Sequence, residues 1–229
     1  MQHTTLSDRT RLQWYGVREA GRGDACSQPP RPTPSDDPKA VSIPHGLAFQ
    51  TRDGLAYTLR RVTPADAGLL DDFLRRLSPK TRWLRFMTAR PYSPEAMRAE
   101  VARMVAGSAG NSITLIVTEA CDGSEAVAAV AELVYTREGG AGEVGVVVLD
   151  DAQRKGIGSM LLRQLLQIAQ ELGLTHLHGD MLAENYAIQR CIKALQLSYT
   201  ATIQSGEMHI IVLVPEQADC VADARRTAR

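Results

Sequence analysis

One stretch of this chain, residues 142–185, constrains the fold more tightly than any other. It reads as an apolar strand over residues 143–149, a polar turn, a long amphipathic helix, a second strand over residues 174–181 and a polar break. The helix is indicated by apolar residues that recur from Ile157 to Leu172 with the spacing of one helical face. Gly173 follows where a left-handed residue commonly ends a helix. A strand that leads through a short turn into such a helix predicts an α/β fold.

The turn between this strand and helix, residues 150–158, is called the glycine turn below. Gly156 and Gly158 stand at the start of the predicted helix, where backbone N–H groups lack intrahelical acceptors and the helix dipole is positive. Glycine has no Cβ, so a phosphate group can approach the main chain closely. Arg154 and Lys155 add positive charge beside it. The pattern predicts a pyrophosphate site, although a Gly-x-Gly between strand and helix also suits a plain connection.

Two known phosphate-binding motifs compare with the glycine turn. A P-loop is excluded because the Gly-Lys-Ser/Thr ending is absent. A dinucleotide fingerprint fits better, since the two glycines are followed by Asp180 near the expected distance. However, Leu161 occupies the third glycine position, and a long tract with its own predicted strands and helices precedes the motif. A dinucleotide site therefore stays open as the less favoured alternative.

The six residues 153–158, Gln-Arg-Lys-Gly-Ile-Gly, resemble the Gln/Arg-x-x-Gly-x-Gly/Ala motif of the GNAT superfamily of acyl-CoA-dependent N-acyltransferases. The surrounding order is also similar to that family, with a strand before the motif, a helix and a strand after it, and Leu-Ala-Glu-Asn at 182–185 opening another helix. The resemblance covers residues 55–215 and is strongest over 142–197. It implies a single GNAT-like domain that uses acetyl-CoA as acyl donor and an amine as acceptor.

The resemblance also implies which residues contact the cofactor. The backbone of residues 146–148 would pair with the pantetheine amides, residues 153–159 would hold the pyrophosphate, and a residue at the start of the next helix would reach the pantetheine arm. The residues assigned in this way are Val146, Val147, Val148, Gln153, Arg154, Lys155, Gly156, Ile157, Gly158, Ser159 and Asn185.

Two further segments resemble the bacterial protein-lysine acetyltransferase type within this superfamily. Residues 77–86 are similar to its Leu-Ser-Pro-x-x-x-x-x-Arg-Phe segment. Residues 142–148, Gly-Glu-Val-Gly-Val-Val-Val, are similar to its Ala-Glu-x-Ala-x-x-Val segment, in which the Glu is the general base. This resemblance implies a protein lysine as the acceptor, with a small amine as the alternative.

The chemistry of amide formation independently predicts a carboxylate that acts as a base at the site. An amine that arrives as an ammonium must lose a proton before it attacks a thioester, and a nearby carboxylate can accept that proton. Glu132 and Glu143 both stand in apolar strands, where burial would raise their pKa values. Glu143 is the favoured catalytic base because its strand leads to the glycine turn. The other interpretation is a solvated residue at the strand end.

One departure from the family pattern leaves the general acid unassigned. Many relatives carry a Tyr on the helix after Asn185, but its expected place holds Ile192. Water or Tyr186 are the candidates for protonating the leaving thiolate. The missing Tyr also keeps open a non-catalytic acyl-CoA-binding sensor.

The remaining segments complete a mixed sheet with helices on both faces. Residues 55–62 read as a strand, and Thr-Pro or Ser-Pro pairs predict helices that begin near residues 64, 79 and 94. Hairpins are predicted over residues 112–118 with 126–135, and over 199–203 with 208–214. We therefore expect a GNAT-like domain over residues 46–216, after an extension over 1–45 that is rich in Gly and Pro, and before a polar tail over 217–229.

Composition narrows the partners and the compartment. The formal net charge is zero, so overall charge does not indicate binding to nucleic acid or to an anionic membrane. The four cysteines form no Cys-x-x-Cys pair, which favours reduced thiols. With no apolar run of about 18 residues, the sequence predicts a soluble, cytoplasmic protein. His176 and His178 alternate on a strand without neighbouring ligand residues, so no metal is predicted.

Overall fold

The computed structural model describes residues 46–215 except for 52, 89, 107–110, 122–123 and 137–139. Its strands are β1 Leu47–Gln50, β2 Ala56–Arg61, β3 Ser112–Cys121, β4 Ser124–Thr136, β5 Ala141–Val148, β6 His176–Leu182, β7 Tyr199–Gln204 and β8 Glu207–Leu213. Its helices are α1 Ala67–Arg76, α2 Pro79–Phe86, α3 Pro94–Ala106, α4 Ile157–Glu171 and α5 Tyr186–Lys193. Single 3₁₀ turns lie at Pro64–Asp66 and Asp150–Ala152. The expected extension over 1–45 and tail over 217–229 lie outside the described residues.

The strands form one eight-stranded sheet in the order β1-β2-β3-β4-β5-β6-β8-β7. Within the described residues every neighbouring pair is antiparallel except β5 with β6, which is parallel. The predicted mixed α/β class is confirmed. A dinucleotide-binding fold is a doubly wound, mostly parallel sheet, so the dinucleotide alternative is wrong for this chain.

The helices begin where the sequence places their starts. The Ser78 hydroxyl accepts the N–H of Thr81 at 3.1 Å, and Pro79 opens α2. Before α1, the Asp66 carboxylate accepts the N–H of Thr63 at 2.7 Å. The predicted helix starts near residues 64, 79 and 94 are therefore confirmed, with the first turn of the first segment in 3₁₀ form.

Helices cover both faces of the sheet, as β5 demonstrates. A Cβ built on Gly158, in the first turn of α4, lies 4.0 Å from Val148, so α4 covers the face of the even-numbered β5 residues. A Cβ built on Gly145 would meet Arg85 of α2, so α2 covers the opposite face. The central strand β4 is buried along most of its length, as expected for a strand covered on both sides.

A second, smaller apolar cluster supports α5. It consists of Leu162 from α4, Met181 from β6, Ile192 from α5, and Ile210 and Val212 from β8. It fixes α5 against the far half of the sheet, beyond the point where β5 and β6 pair. This arrangement positions the start of α5 beside the functional site.

One strand was not predicted, and several strand boundaries differ from the predictions by one to three residues. Strand β1 was not predicted, because four residues at the sheet edge give too short a pattern; it pairs with β2, and Phe49 stacks on Tyr57 at 5.8 Å between ring centroids. Strand β5 begins at Ala141, two residues before the predicted start. Of the helices in the described ranges, none combines the length and apolarity needed to span a bilayer.

Candidate functional site

The site begins where two parallel strands separate. β5 and β6 pair only from Ala141 with His176 to Glu143 with His178. Beyond that point β5 continues along β4 to Val148, while β6 continues along β8 to Leu182. The separation opens a cleft of about 720 Å³, which includes space open to solvent.

The cleft has an apolar floor and a few polar groups at its rim. Val144 and Val146 of β5 line one side, and residues of α4 and α5 close the bottom. Arg85, His178 and Asn185 supply polar groups at the same cavity. Because the ladder between β5 and β6 stops at Glu143, the edge of β5 from Val144 onward is open to an extended ligand that hydrogen-bonds as an added strand would.

The glycine turn adopts the backbone that its sequence predicts. Gly156 has φ +92°, and α4 begins at Ile157 immediately after it. A Cβ built on Gly156 meets no atom of the described residues within 4 Å, so this part of the chain leaves the space above the turn open. Helix α4 starts with N–H groups that have no intrahelical acceptor, and the positive end of its dipole lies at the same point. Local geometry therefore suits an anion.

The side chains of the glycine turn make contacts that the motif does not reveal. Gln153 donates to the Val148 carbonyl at 3.0 Å and to the Thr81 hydroxyl at 3.3 Å, so its amide faces α2. The Asp150 carboxylate accepts hydrogen bonds from the Ser78 hydroxyl at 2.8 Å and from the Thr81 hydroxyl at 2.9 Å. These bonds, called the turn anchor below, attach the glycine turn to the start of α2.

Lys155 is held at the rim by a carboxylate. Its ammonium lies 3.2 Å from Asp53, on the loop between β1 and β2. Hydrogen bonds from Thr51 and from Lys155 lower the pKa of Asp53 below its ordinary value. Lys155 thus has a fixed position beside the glycine turn, and its charge is already partly compensated.

Asn185 joins the two helices that border the cleft. It caps α5 by accepting the N–H of Ile188 at 3.4 Å, and its amide donates to the Leu84 carbonyl at 3.5 Å. Beside it, the Trp83 indole donates to Glu184 at 3.0 Å. The structure therefore brings Asn185 to the cleft and places α2 across from it, while its contact with a pantetheine arm stays a prediction.

Arg85 occupies the face of the sheet opposite α4. A Cβ on Gly145 would lie 2.0 Å from its guanidinium, so this close approach requires glycine. Arg85 lies 3.4 Å from the Glu132 carboxylate, which Arg103 contacts at 2.9 Å from the other side. The alternative base Glu132 is therefore buried between two guanidinium groups. Sequence reasoning missed this cluster; its only signal was the Arg-Phe pair at residues 85–86.

Glu143 lies where the cleft opens. It shares the Arg85 face of β5 with Gly145, two residues away, and it pairs in register with His178. Its side chain is exposed, so the expectation that Glu143 is buried is wrong. Glu143 is the last β5 residue paired with β6, so it lies where the two strands begin to separate.

A histidine group on the same face was not predicted as functional. His178 lines the cleft, and its ring centroid is 6.0 Å from that of His209. His209 in turn lies 2.7 Å from Asp180. Burial lowers the pKa of His178, which keeps this imidazole neutral at pH 7. The sequence shows that His176 and His178 alternate along β6. It does not show that β6 pairs with β8, which brings His209 beside His178.

Comparisons with known proteins agree with this fold. The family described as acetyltransferase (GNAT) domain matches residues 57–198. None of the curated proteins matches the chain. Among solved structures, the GNAT domain of S. lividans PAT is similar, with a TM-score of 0.63 and 20% identity, covering 73% of this chain and 96% of that one.

Two other solved structures have the same fold. An acetyltransferase of the GNAT family from Streptococcus pneumoniae has a TM-score of 0.53 and 20% identity, covering 69% of this chain and 99% of that one. The spermidine N-acetyltransferase from Vibrio cholerae, in complex with CoA and spermine, has a TM-score of 0.54 and 13% identity, covering 69% and 95%. At these identities the likeness establishes the fold.

Proposed function

The chain belongs to the GNAT acetyltransferase family, and from that premise we propose that it transfers the acetyl group of acetyl-CoA to a protein lysine side chain, with Glu143 as general base. One observation carries the proposal. Strand β5, which lines the cleft, carries an exposed carboxylate where it leaves β6 and leads into the glycine turn at its other end. A donor and an acceptor can therefore meet where the strands separate.

The donor is proposed to lie along β5. Its pyrophosphate would accept hydrogen bonds from the N–H groups at the start of α4, and its pantetheine amides would pair with the backbone of residues 146–148. An arm that follows β5 from Val148 to Val144 covers roughly 13 Å at the rise of a strand. Asn185 borders the same path. We call these parts the donor side.

The acceptor is proposed to approach from the face that carries Arg85 and Glu143, which we call the acceptor side. Glu143 takes a proton from the arriving ammonium, and the amine nitrogen then attacks the thioester carbonyl carbon. The resulting tetrahedral intermediate collapses as the carbon–sulfur bond breaks. The products are an acetylated amine and CoA, without a covalent enzyme intermediate.

A protein acceptor is favoured by the rim of the cleft. Trp83 is 41% exposed and Tyr186 is 66% exposed, and both lie on the elements that border Asn185. Exposed aromatic side chains are characteristic anchors of protein interfaces. This observation adds to the resemblance of residues 77–86 and 142–148 to the protein-lysine acetyltransferase type.

A second candidate function is a non-catalytic acyl-CoA sensor. Ile192 stands where many relatives carry a Tyr, and it is only 6% exposed within the second apolar cluster. No side-chain hydroxyl is available at that position to protonate a leaving thiolate. A sensor would bind acetyl-CoA without consuming it.

One experiment separates these functions. Acetyl-CoA affinity is measured by calorimetry. Thiol release is followed separately with three kinds of acceptor: lysine peptides, a mixture of intact proteins, and spermidine. We expect binding together with thiol release that depends on a lysine acceptor. Binding without release would favour the sensor, and release with spermidine alone would favour a small-amine enzyme. No binding would contradict the donor side itself.

A further inference from the structure

The reaction requires a proton at the leaving sulfur, and the position that often supplies it is apolar here. When the carbon–sulfur bond breaks, the electron pair departs with sulfur as a thiolate. Ile192 is packed among apolar residues and offers no proton. Besides water and Tyr186, which is 66% exposed, a side chain near the separation of β5 and β6 can carry this proton.

His178 is the titratable side chain best placed for this role. It is the last β6 residue in register with β5, directly opposite Glu143, and it lines the cleft together with Arg85. In a parallel pair, residues in register point to the same face of the sheet. Glu143 and His178 therefore flank the point where an acetyl group on β5 would meet its acceptor.

We propose that His178 is a catalytic residue that carries a proton from Glu143 to the departing sulfur of CoA. This inference rests on the proposed function above. Glu143 receives the first proton from the ammonium and passes it to the neutral imidazole. The imidazolium then donates it to the thiolate as the carbon–sulfur bond breaks.

The protons balance in this scheme. The acceptor ammonium loses two protons in total, one before attack and one from the nitrogen of the tetrahedral intermediate. One proton ends on CoA as the thiol, and the other leaves through Glu143 to solvent. His178 returns to its neutral form, so each turnover starts from the same state.

The surroundings of His178 suit a carrier. Burial lowers its pKa; Glu143 on β5 and Asp180 on β6 oppose that shift, while His176 and His209 add to it. Arg85 of α2 lines the same cavity. The imidazole is therefore neutral when it must accept a proton, and once protonated it is a stronger donor than an ordinary histidine.

The test compares His178→Gln with His176→Gln, a matched control on the same strand and face that contacts Thr175 at 3.0 Å. We expect kcat to fall about 100-fold or more in His178→Gln, with acetyl-CoA affinity unchanged. His176→Gln should retain the kcat of the unmodified protein. Equal kcat values for the two variants would overturn the inference.

Two further readouts distinguish a proton carrier from a packing residue. The acid side of the pH profile of kcat should show one ionisation fewer in His178→Gln than in the unmodified protein, because His178 can accept no proton from Glu143 when it is already protonated. Added imidazole should restore turnover to His178→Ala. The same number of acid-side ionisations in both proteins, together with no rescue, would contradict the proposal.

The outcomes for the two proposals differ. If the unmodified protein binds acetyl-CoA but turns over no amine, the proposed function fails and this inference fails with it. If the unmodified protein is active and His178→Gln matches it, only the inference about His178 fails. Melting temperatures of each variant establish that a loss of turnover is not a loss of folding.

Discussion

The donor side and the acceptor side are built from the chain in different ways. The donor side is nearly contiguous: β5, the glycine turn and the start of α4 occupy residues 141–159. The acceptor side collects Arg85 from α2, Glu132 from β4, Glu143 from β5 and His178 from β6. Backbone groups dominate the first and side chains the second. Substitutions should therefore separate donor affinity from turnover.

The largest expected effect is on the acceptor side, in Glu143→Gln. This change keeps the shape of the side chain but removes its basicity, so kcat should fall roughly 10²- to 10⁴-fold at neutral pH. The loss should shrink as pH rises, because more of the amine then arrives deprotonated. Steady-state kinetics over a pH series measure this, and calorimetry should give unchanged acetyl-CoA affinity.

The matched control is Glu207→Gln, an exposed glutamate on β8. It should leave both kcat and acetyl-CoA affinity unchanged. A Glu143→Gln variant with near-normal turnover, paired with an inactive but folded Glu132→Gln variant, would move the base to Glu132. In that case the ion pairs of Glu132 with Arg85 and Arg103 would have to open during turnover.

The next largest effect is expected on the donor side, where Gly158→Val should weaken the binding of acetyl-CoA. A Cβ at Gly158 lies 3.6 Å from the Cys191 sulfur and 4.0 Å from Val148, so the two added methyl groups would crowd the first turn of α4, where the pyrophosphate is proposed to bind. Acetyl-CoA should bind roughly 100-fold more weakly, which corresponds to about 2.7 kcal/mol. Titration calorimetry measures the change, and Gly158→Ala is the graded control with near-normal affinity. Unchanged affinity in the Val variant would remove the glycine turn from the donor site.

A smaller effect is expected from Gly145→Ala, which tests the acceptor side without touching a titratable group. The new Cβ would overlap the Arg85 guanidinium, which must then leave its place beside Glu132. We expect kcat/KM for the amine to fall about tenfold, because small misplacements at a reacting centre are costly, while acetyl-CoA affinity is retained. Gly68→Ala, on an open helix surface, is the control. A parallel loss of acetyl-CoA affinity would show that the two sides are not separable here.

The smallest effect on activity is expected far from both sides, in Asp66→Asn. Hydrogen bonds from Arg60 lower the pKa of Asp66 to about 2, and the N–H of Thr63 adds to the shift. A carboxylate with a depressed folded-state pKa stabilises the protein above its unfolded pKa, and that contribution is lost as pH falls through about 2. The variant should lose about 1–2 kcal/mol of unfolding free energy at pH 7.

Denaturant titrations of Asp66→Asn and the unmodified protein at pH 7 and pH 3 measure this difference. The gap between the two proteins should narrow at pH 3, where the unfolded-state carboxylate is already largely protonated. Turnover and acetyl-CoA affinity at pH 7 should be unchanged. A gap that stays constant with pH would show that the ionised carboxylate is not the source of the stability.

The same contrast explains how much the sequence could predict. The glycine turn and α4 were predictable because their determinants lie within a few positions of one another: Gly156 sets the backbone, and the apolar spacing after it defines the helix. Arg85 and Glu132 are 47 positions apart, and no local pattern indicates that they meet. The sequence shows a glycine at position 145. It does not indicate that the Arg85 guanidinium packs against this position and requires a glycine there.

Errors in the predictions have the same physical origin. Glu143 stands in an apolar run, which suggested burial, yet its exposure depends on where β6 leaves β5. His178 and His209 are 31 positions apart by number and become neighbours through the pairing of β6 with β8. Pairing register is a property of the whole sheet, so the chemistry of the acceptor side follows from tertiary structure.

The turn anchor would couple binding of the two proposed substrates. Asp150 and Gln153 belong to the turn proposed to hold the cofactor pyrophosphate, yet they hold Ser78 and Thr81 at the start of the helix that carries Arg85. A donor that tightens this anchor lowers the entropy cost of arranging α2 for the amine. Coupling of this kind is reciprocal, so the amine must raise donor affinity by the same factor. Acetyl-CoA titrations with and without a lysine peptide should therefore show the same ratio of affinities as peptide titrations with and without acetyl-CoA.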